Sequence, residues 1–133
     1  MISVIIPLYN KEKQVSHTLG SVLSQTFQCF EIIIVNDGST DGSVMEIEKI
    51  QDSRIRLIHQ DNAGVSAARN RGIAEARYGL IVFLDADDEW KPDYLDAQHQ
   101  LSLKYPECSV FAFNYEFLKR DGKRNLPLLR KMK

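Results

Sequence analysis

Apolar runs alternate along the chain with segments in which apolar residues recur at helical spacing. Four runs are rich in isoleucine and valine, and three of them show little alternation with polar positions, which is typical of strands covered on both faces. The remaining run, RIRLIHQ, alternates instead. The predicted strands are ISVIIP (2–7), FEIIIVN (30–36), RIRLIHQ (54–60) and YGLIVFLD (78–85).

Helical spacing between these strands predicts three helices. Their apolar positions are Val15, Leu19, Val22 and Leu23, then Val44, Ile47 and Ile50, then Ala67, Ala68, Ile73 and Ala76. The resulting β-α-β-α-β-α-β order with short turns predicts an α/β fold, namely a Rossmann-like, doubly wound and mostly parallel sheet with right-handed crossovers.

The rest of the chain predicts a smaller set of elements. KPDYLDAQHQLSLKYP (91–106) favours a further helix with Pro92 near its first turn. CSVFAFNYEFL (108–118) predicts a strand, and the Asp-Gly pair of KRDGKR predicts a hairpin turn. The final LPLLRKMK has no completed partner element. We therefore expect residues 1–133 to form a single domain that is truncated at its C-terminus.

Composition narrows the classes of function. Apolar residues make up 44% and charged residues 26% of the chain, as in an ordinary globular domain. The formal net charge of -1 gives no electrostatic reason to expect nucleic acid or membrane lipid as a partner. An anionic ligand must therefore be bound by a few local cations.

Cysteine usage bears on the compartment. Cys29 and Cys108 lie far apart in apolar surroundings, FQCFEI and ECSVFA, so we expect buried, reduced thiols. The N-terminal segment lacks a signal-peptide pattern, and no stretch approaches the roughly 18 apolar residues of a membrane span. We expect a cytoplasmic protein, with peripheral association at the inner face of the membrane as an alternative.

Polar residues follow each predicted strand. They are PLYN after the first, NDGSTDG after the second, DNAG after the third and DADD after the fourth. Ligands of open parallel α/β sheets bind beyond the carboxyl ends of the strands. We therefore expect these loops to meet around one cleft.

The segment IVFLDADDEW carries the strongest signal. Its four carboxylates within five positions repel one another, so we expect a cation among them. Mg²⁺ or Mn²⁺ on a nucleotide needs only one or two protein carboxylates, because the diphosphate and water complete the shell. Asp85 and Asp87 are the candidate ligands if the chain bends after the strand. The alternative, an acidic loop that caps the following helix, accounts for Asp88 and Glu89 but not for Asp85.

Two further loops offer candidate ligand contacts. Asp37 can accept a hydrogen bond from the N–H of a heterocycle, although its loop taken alone favours a turn followed by a helix cap. Asn62 and Gly64 open a helix of small residues, and its small side chains let this helix approach closely. Arg69 or Arg71 on this helix can clamp a pyrophosphate, unless each is solvated or paired with a carboxylate such as Glu75. We expect one of the two arginines to face the cleft.

Other catalytic patterns are missing from the sequence. His17, His59 and His99 share no spacing, and there is no P-loop, no G-x-G-x-x-G after the first strand and no nucleophile elbow. These absences disfavour kinases, dehydrogenases and hydrolases.

Four stretches together carry a family resemblance: VIIPLYN, IIIVNDGSTDGS, NAGVSAARNRGI and GLIVFLDADD. Across residues 2–95 the chain resembles the N-terminal, nucleotide-sugar-binding part of a family 2 glycosyltransferase, an inverting family of the GT-A fold. The resemblance assigns Pro7, Tyr9 and Asn10 to the nucleoside site, Asp37 to the base, Arg69 to the base or phosphates, Asp85 to the ribose and metal region, and Asp87 to Mn²⁺ or Mg²⁺ on the diphosphate.

The resemblance also implies a reaction. A sugar is transferred with inversion from a nucleotide-diphosphate sugar, such as a UDP-sugar, to a carbohydrate or lipid-linked acceptor in polysaccharide or glycolipid synthesis. The family's general base lies downstream of the D-x-D, and Glu107, Glu116 and Asp121 have no convincing context for that role. We therefore expect no catalytic base in this chain, with the acceptor-side part missing.

Two alternatives remain open at this point. One is a catalytically incomplete nucleotide-sugar-binding or assembly module that self-associates through its exposed late strand. The other is a nucleotidyltransferase, which would release pyrophosphate instead of a nucleoside diphosphate.

Overall fold

The computed structural model describes residues 1–113 and, beyond them, the backbone of two short strands. The strands of the main sheet are β1 (Ile2–Leu8), β2 (Phe30–Asp37), β3 (Ile55–Gln60) and β4 (Leu80–Phe83). The helices are α1 (Val15–Leu23), α2 (Ser43–Glu48), α3 (Val65–Glu75) and α4 (Tyr94–Lys104). The two short strands are β5 (Phe117–Leu118) and β6 (Arg124–Asn125). Strands and helices alternate in the predicted order.

The main sheet has the strand order β3-β2-β1-β4, and all neighbouring strands are parallel. Ile2 of β1 is the register partner of both Phe30 and Leu80, so the central strand has a neighbour on each side. Every residue of β1 and β2 is buried, as expected for strands covered on both faces. The predicted α/β class is confirmed.

Helices cover the sheet on both faces. Helices α1, α2 and α4 pack on one face through Val15, Leu19, Val22, Ile47 and Leu95, against Ile2, Val4, Ile6, Leu8, Phe30, Ile32 and Ile34. Full burial of one such aliphatic side chain stabilises the fold by about 2 kcal/mol. Helix α3 covers the other face, where Ala68 packs with Ile33 and Val35.

Helix α3 approaches the sheet closely because it presents small residues. A Cβ atom added at Gly72 would lie 2.4 Å from Ile5 Cγ2, well inside van der Waals contact. The predicted close approach of this helix is therefore confirmed. Because Arg69 belongs to α3, the approach also sets the distance between Arg69 and the sheet.

A buried carboxylate organises the amino edge of the sheet. Glu31 is 5% exposed and accepts hydrogen bonds from Ser3 Oγ at 2.7 Å and Arg77 N at 2.8 Å. Arg56 NH1 adds an ion pair at 3.4 Å. Burial opposes ionisation, but these hydrogen bonds and the charge of Arg56 lower the pKa of Glu31. This network ties down the chain between α3 and β4 at the edge opposite the predicted ligand loops.

Strand β4 differs from its prediction. It covers Leu80–Phe83, not 78–85, and Phe83 is 41% exposed because β4 lies at the edge of the sheet in the described part of the chain. The prediction that this run is covered on both faces is therefore wrong, and Asp85 lies two residues beyond the strand.

The region after β4 also corrects two predictions. Helix α4 begins at Tyr94 with Asp93 as its N-cap, so Pro92 lies near its first turn as predicted. Neither Asp88 nor Glu89 lies at the start of the helix, where Asp96 is the acidic residue of the first turn, so the alternative in which those two residues cap the helix is wrong. Residues 108–113 form no strand, and among the described residues of the predicted strand Phe117–Leu118 is extended. That pair lies antiparallel to Arg124–Asn125, as expected for a hairpin, whereas the Asp-Gly turn itself lies outside the described residues. Asn114, Tyr115, Glu116, Asp121 and the segment 126–133 lie outside the described residues.

The prediction of buried cysteines is wrong as well. Cys29 and Cys108 are free but exposed, because both lie in connecting segments, one before β2 and one after α4. Burial of the two thiols therefore no longer supports the expectation of a cytoplasmic protein. No helix in the described part is long and apolar enough to span a membrane.

Candidate functional site

A cleft of about 520 Å³ opens at the carboxyl ends of the strands. The loops after β1, β3 and β4 and Asp37, the last residue of β2, all contribute to its lining, as the position of the polar segments predicted. The predicted site residues that line it are Pro7, Tyr9, Asp37, Arg69, Asp85 and Asp87. Lys11, Asn62 and Gly64 line it in addition.

The chain bends sharply between the two aspartates of the D-x-D segment. Asp88 N donates to Asp85 O at 3.0 Å, which closes a turn around Ala86 and Asp87. Ala86 is buried, and its carbonyl accepts a hydrogen bond from Thr18 Oγ1 at 3.0 Å. This hydrogen bond from α1 therefore holds the turn in place, and Asp85 and Asp87 line the same cleft.

Each of these aspartates is paired with a cationic side chain. Arg69 NH2 lies 2.7 Å from Asp85 Oδ1, and Lys11 Nζ lies 2.6 Å from Asp87 Oδ2. Arg71 faces away from the cleft and pairs with Glu75 at 2.9 Å. One arginine of the two therefore faces the cleft, as predicted.

Arg69 has a second contact besides its ion pair with Asp85. Its guanidinium carbon lies 5.9 Å from the ring centroid of Phe83, and its Nε atom is buried with no hydrogen-bond partner. A buried N–H without an acceptor is costly, so a ligand oxygen that reached it would be favoured.

The acidic turn carries an excess of negative charge. Partial desolvation, followed by the charges of Asp87 and Asp85, raises the pKa of Asp88. Asp88 is exposed at the surface, so solvent limits the size of this shift. The turn therefore favours an added cation electrostatically.

Asp37 is an internal anchor of the cleft. It is 3% exposed and accepts hydrogen bonds from Gln60 Nε2 at 2.7 Å and from Ala63 N and Gly64 N at 2.8 Å each. Burial opposes ionisation, but these donors lower the pKa of Asp37. A carboxylate has about four acceptor positions, so one remains for a ligand N–H.

Asn10 lies outside the cleft lining. It has a positive φ of 50°, and its Oδ1 accepts a hydrogen bond from Thr40 N at 2.8 Å, while its own N donates to Ser39 Oγ at 3.1 Å. The residue clamps the loop after β1 to the loop after β2. Its sequence-based assignment to the nucleoside site stays a prediction.

Lys11 and Asn62 are polar residues of the cleft to which the sequence analysis gave no ligand role. Lys11 follows the PLYN segment directly, three residues beyond the end of β1. Including the residue after each strand-end segment would have identified it as a cation close to the acidic turn. Asn62 was identified only as a residue that opens the helix after β3.

A larger hollow of about 660 Å³ lies elsewhere, between α2 and the start of β3. Ile47, Ile50, Ile55 and Leu57 form its apolar part. Its Asp52 is already engaged by Arg54 at 2.8 Å. Because the paired charges gather at the carboxyl edge, we assign the candidate site to the smaller cleft.

The parallel sheet and the acidic, cation-lined cleft at its carboxyl edge define an α/β protein of the GT-A type, and this architecture matches solved glycosyltransferases. The chain belongs to glycosyl transferase family 2, because the model of that family matches residues 3–130.

Several relatives illustrate the match. TuaG of Bacillus subtilis strain 168, a glycosyltransferase that its name assigns to teichuronic acid biosynthesis, is 36% identical over 126 residues, covering 92% of this chain and 49% of TuaG. Staphylococcus aureus TarS 1-349 in complex with UDP-GlcNAc gives a TM-score of 0.74 at 28% identity, covering 79% of this chain and 32% of that structure.

The structure of a mannosyltransferase is also similar. The mannosyltransferase PcManGT from Pyrobaculum calidifontis, in complex with GDP-Man and Mn²⁺, gives a TM-score of 0.66 at 26% identity, covering 71% of this chain and 30% of that structure. The present chain thus spans about half or less of the length of each of these proteins.

Proposed function

We propose that the chain is the donor-binding part of an inverting glycosyltransferase that uses a nucleotide-diphosphate sugar, with a UDP-sugar as the donor. The observation that carries the proposal is the assembly of Asp37, Arg69, Asp85 and Asp87 in one cleft at the carboxyl edge of the sheet. The complexes of TarS with UDP-GlcNAc and of PcManGT with GDP-Man support a nucleotide sugar as the ligand.

The side chains suit the parts of such a ligand. Tyr9 is 48% exposed at the cleft, which leaves its ring accessible to a planar base. Asp37 has an acceptor position for the base N–H, and Arg69 offers charge-assisted hydrogen bonds to the base or to phosphate oxygens. Asp85, the first residue of the acidic turn and the partner of Arg69, would meet the ribose and the metal.

Asp87 and Asp85 would hold a divalent metal, Mn²⁺ or Mg²⁺. Carboxylate oxygens are the ligands that these hard cations prefer, and the mutual repulsion in the turn favours an added positive charge. In the described part of the chain no cluster of three or more His, Cys, Asp or Glu is placed to hold a metal. The diphosphate and water must therefore supply the remaining ligands. When bound, the metal would stabilise the charge that develops on the departing nucleoside diphosphate.

Inverting transfer also needs a base that removes the proton of the acceptor hydroxyl. Asp37 is buried beneath backbone donors, and Asp85 and Asp87 face cationic partners on the donor side. We therefore assign the general base to none of these residues. The chain provides donor binding, orientation and leaving-group stabilisation.

For the acceptor we propose a carbohydrate or lipid-linked molecule of polysaccharide or glycolipid synthesis. The name of TuaG, which refers to teichuronic acid biosynthesis, supports this class. For the location we keep the sequence-based prediction of a cytoplasmic protein, with peripheral association at the inner face of the membrane as the alternative.

Calorimetric titration of UDP into the purified chain, with and without Mn²⁺, tests the donor site. We expect binding that requires Mn²⁺ and that falls at least tenfold in Asp87→Ala. Asp96→Ala is the matched control, because Asp96 is an exposed aspartate on α4 outside the cleft. UDP affinity that is the same with and without Mn²⁺, and the same in Asp87→Ala as in wild type, would reject the proposed site.

A second candidate is a nucleotide-sugar-binding or assembly module without transfer activity. It is compatible with the assignment of the general base to none of Asp37, Asp85 and Asp87. Sedimentation that depends on protein concentration, combined with UDP binding but no release of UDP from UDP-sugars, would support it over the enzyme.

A further inference from the structure

Lys11 lines the cleft but has no part in the donor site described above. Its Nζ lies 2.6 Å from Asp87 Oδ2, and the two side chains are 37% and 43% exposed. Its backbone N donates to Ser43 Oγ at 2.8 Å, so the main chain is fixed at the start of α2. Because the backbone is fixed and the four-carbon side chain is flexible, the ammonium group can move to another partner without displacing the loop.

The carboxylate that Lys11 contacts is the one proposed to bind a metal. An ammonium group and a divalent cation on the same carboxylate repel each other at short range. A cation that enters at Asp87 must therefore displace Lys11, and the ammonium group then needs another anionic partner. The diphosphate of the donor would lie beside the same metal and offers that partner.

We propose that Lys11 exchanges partners during donor binding, holding Asp87 while the cleft is empty and binding the donor diphosphate once a divalent cation occupies Asp87. The inference rests on the proposed function, because it requires the metal and the diphosphate to bind at this cleft.

The two ion pairs of the cleft are about equally exposed: the side chains of Lys11 and Asp87 are 37% and 43% exposed, and those of Arg69 and Asp85 are 38% and 46% exposed. Such exposed pairs contribute little stability, so breaking either has a low energetic cost. They differ in that the guanidinium carbon of Arg69 also lies 5.9 Å from the ring centroid of Phe83, whereas Lys11 has a compact ammonium group on a flexible side chain. Lys11 is also the cation on Asp87, the carboxylate proposed to bind the metal, so it is the one that must change partner.

The exchange couples the two ligands. Without nucleotide, Lys11 competes with the metal for Asp87 and weakens metal binding. With nucleotide, Lys11 adds a charge-assisted contact to the diphosphate and strengthens the metal-nucleotide complex. Each ligand thus raises the affinity for the other, and removal of the ammonium group reduces this coupling.

The test measures binding of Mn²⁺ alone, and of UDP at saturating Mn²⁺, by calorimetry on the purified chain. The variants are Lys11→Met and, as matched control, Lys13→Met, which removes the same charge from an exposed position in the same loop. For Lys11→Met we expect Mn²⁺ alone to bind at least about fivefold more tightly and UDP to bind at least about fivefold more weakly. For Lys13→Met we expect both affinities to stay within twofold of wild type.

The outcomes separate this inference from the proposed function. If wild type binds UDP with Mn²⁺ but Lys11→Met leaves the affinity for Mn²⁺ alone unchanged, the exchange is overturned and the donor site stands. Weaker UDP binding in Lys11→Met without tighter Mn²⁺ binding would likewise overturn it, leaving Lys11 as a simple phosphate contact. If wild type binds neither ligand, the donor site and the exchange both fail. Matching unfolding temperatures of the variants establish that each result comes from folded protein.

Discussion

The carboxylate of Asp37 at the end of β2 accepts a hydrogen bond from the backbone N of Gly64, the residue before α3, at 2.8 Å. Gly64 has a φ of +92°, a conformation that side-chain-bearing residues rarely adopt. The hydrogen bond to this buried carboxylate therefore holds the loop between β3 and α3 in place. The same residue that the sequence offers as a ligand contact thus has a structural role in the floor of the cleft.

This relationship predicts the effect of Asp37→Asn. The substituted amide keeps the shape but can turn an NH2 group toward backbone donors, leaving buried N–H groups without an acceptor. We expect the free energy of unfolding to fall by about 1–3 kcal/mol. Urea denaturation at pH 7 measures it, with Asp61→Asn in the same loop as the exposed control. Unchanged stability with lost UDP binding would show that Asp37 acts only as a ligand contact.

A second prediction concerns the clamp made by Asn10. Asn10→Ala loses the hydrogen bond to Thr40 N and also places a Cβ-bearing residue without a compensating polar group at positive φ. Asn10→Gly loses only the hydrogen bond. We therefore expect Asn10→Ala to be less stable than Asn10→Gly by about 1 kcal/mol, measured by thermal denaturation. Weaker UDP binding by Asn10→Gly at wild-type stability would instead indicate a direct nucleotide contact.

A third prediction concerns two glycines, for which we expect substitution by alanine to change the stability in opposite directions. Gly72→Ala forces a Cβ to 2.4 Å from Ile5 Cγ2 and should destabilise the chain by about 1–3 kcal/mol. Gly20 lies on the exposed face of α1 with nothing within 4 Å of an added Cβ. Gly20→Ala should therefore stabilise the chain by about 0.5–1 kcal/mol. Chemical denaturation of both variants checks the pair, and equal effects would contradict the close approach of α3.

A fourth prediction concerns acid stability. Arg54 donates to Asp52 through its side chain, with Nε at 3.0 Å and NH2 at 2.8 Å, and through its backbone N at 2.9 Å. These contacts lower the pKa of Asp52 to about 2. Because the folded-state pKa is depressed, the stabilisation is complete above the unfolded-state pKa, near 3.9, and is lost as the pH falls through about 2.

The variant Asp52→Asn tests this contribution. At pH 7 we expect it to be less stable than wild type by about 1 kcal/mol, allowing for solvent screening of a partly exposed pair. The difference should shrink steadily below pH 4 in denaturation curves recorded at several pH values. A difference that is constant across that range would mean that the carboxylate charge is not responsible.

The sequence predicted the parts of the molecule that depend on local pattern. The apolar runs of β1 and β2 predicted buried parallel strands, and the polar segments after the strands predicted the cleft. Small residues around Ala68 likewise predicted a helix close to the sheet. These features follow from rules that act within a strand, a helix or a single loop.

Other features depend on contacts between distant segments and could not be predicted in that way. The hydrogen bond of Asn10 to Thr40 joins loops 30 residues apart. The exposure of Cys29 depends on where the chain turns before β2, and the absence of a strand over 108–113 depends on which partner it would pair with. In each case the apolar character of the local sequence favoured burial or extension, and tertiary context decided otherwise.

Strand β2 carries Glu31 near one end and Asp37 at the other, and both carboxylates bind the ends of the segment that contains α3. Glu31 accepts from Arg77 N just beyond the helix, and Asp37 accepts from Gly64 N just before it. Six residues of strand span about 20 Å, and the 11 residues of α3 span about 16 Å, with flanking residues making up the difference. The distance between the two carboxylates of β2 therefore sets the length of the segment that contains α3. Insertions or deletions between residues 64 and 77 should be excluded in natural variants, whereas the loop between α2 and β3 can vary in length.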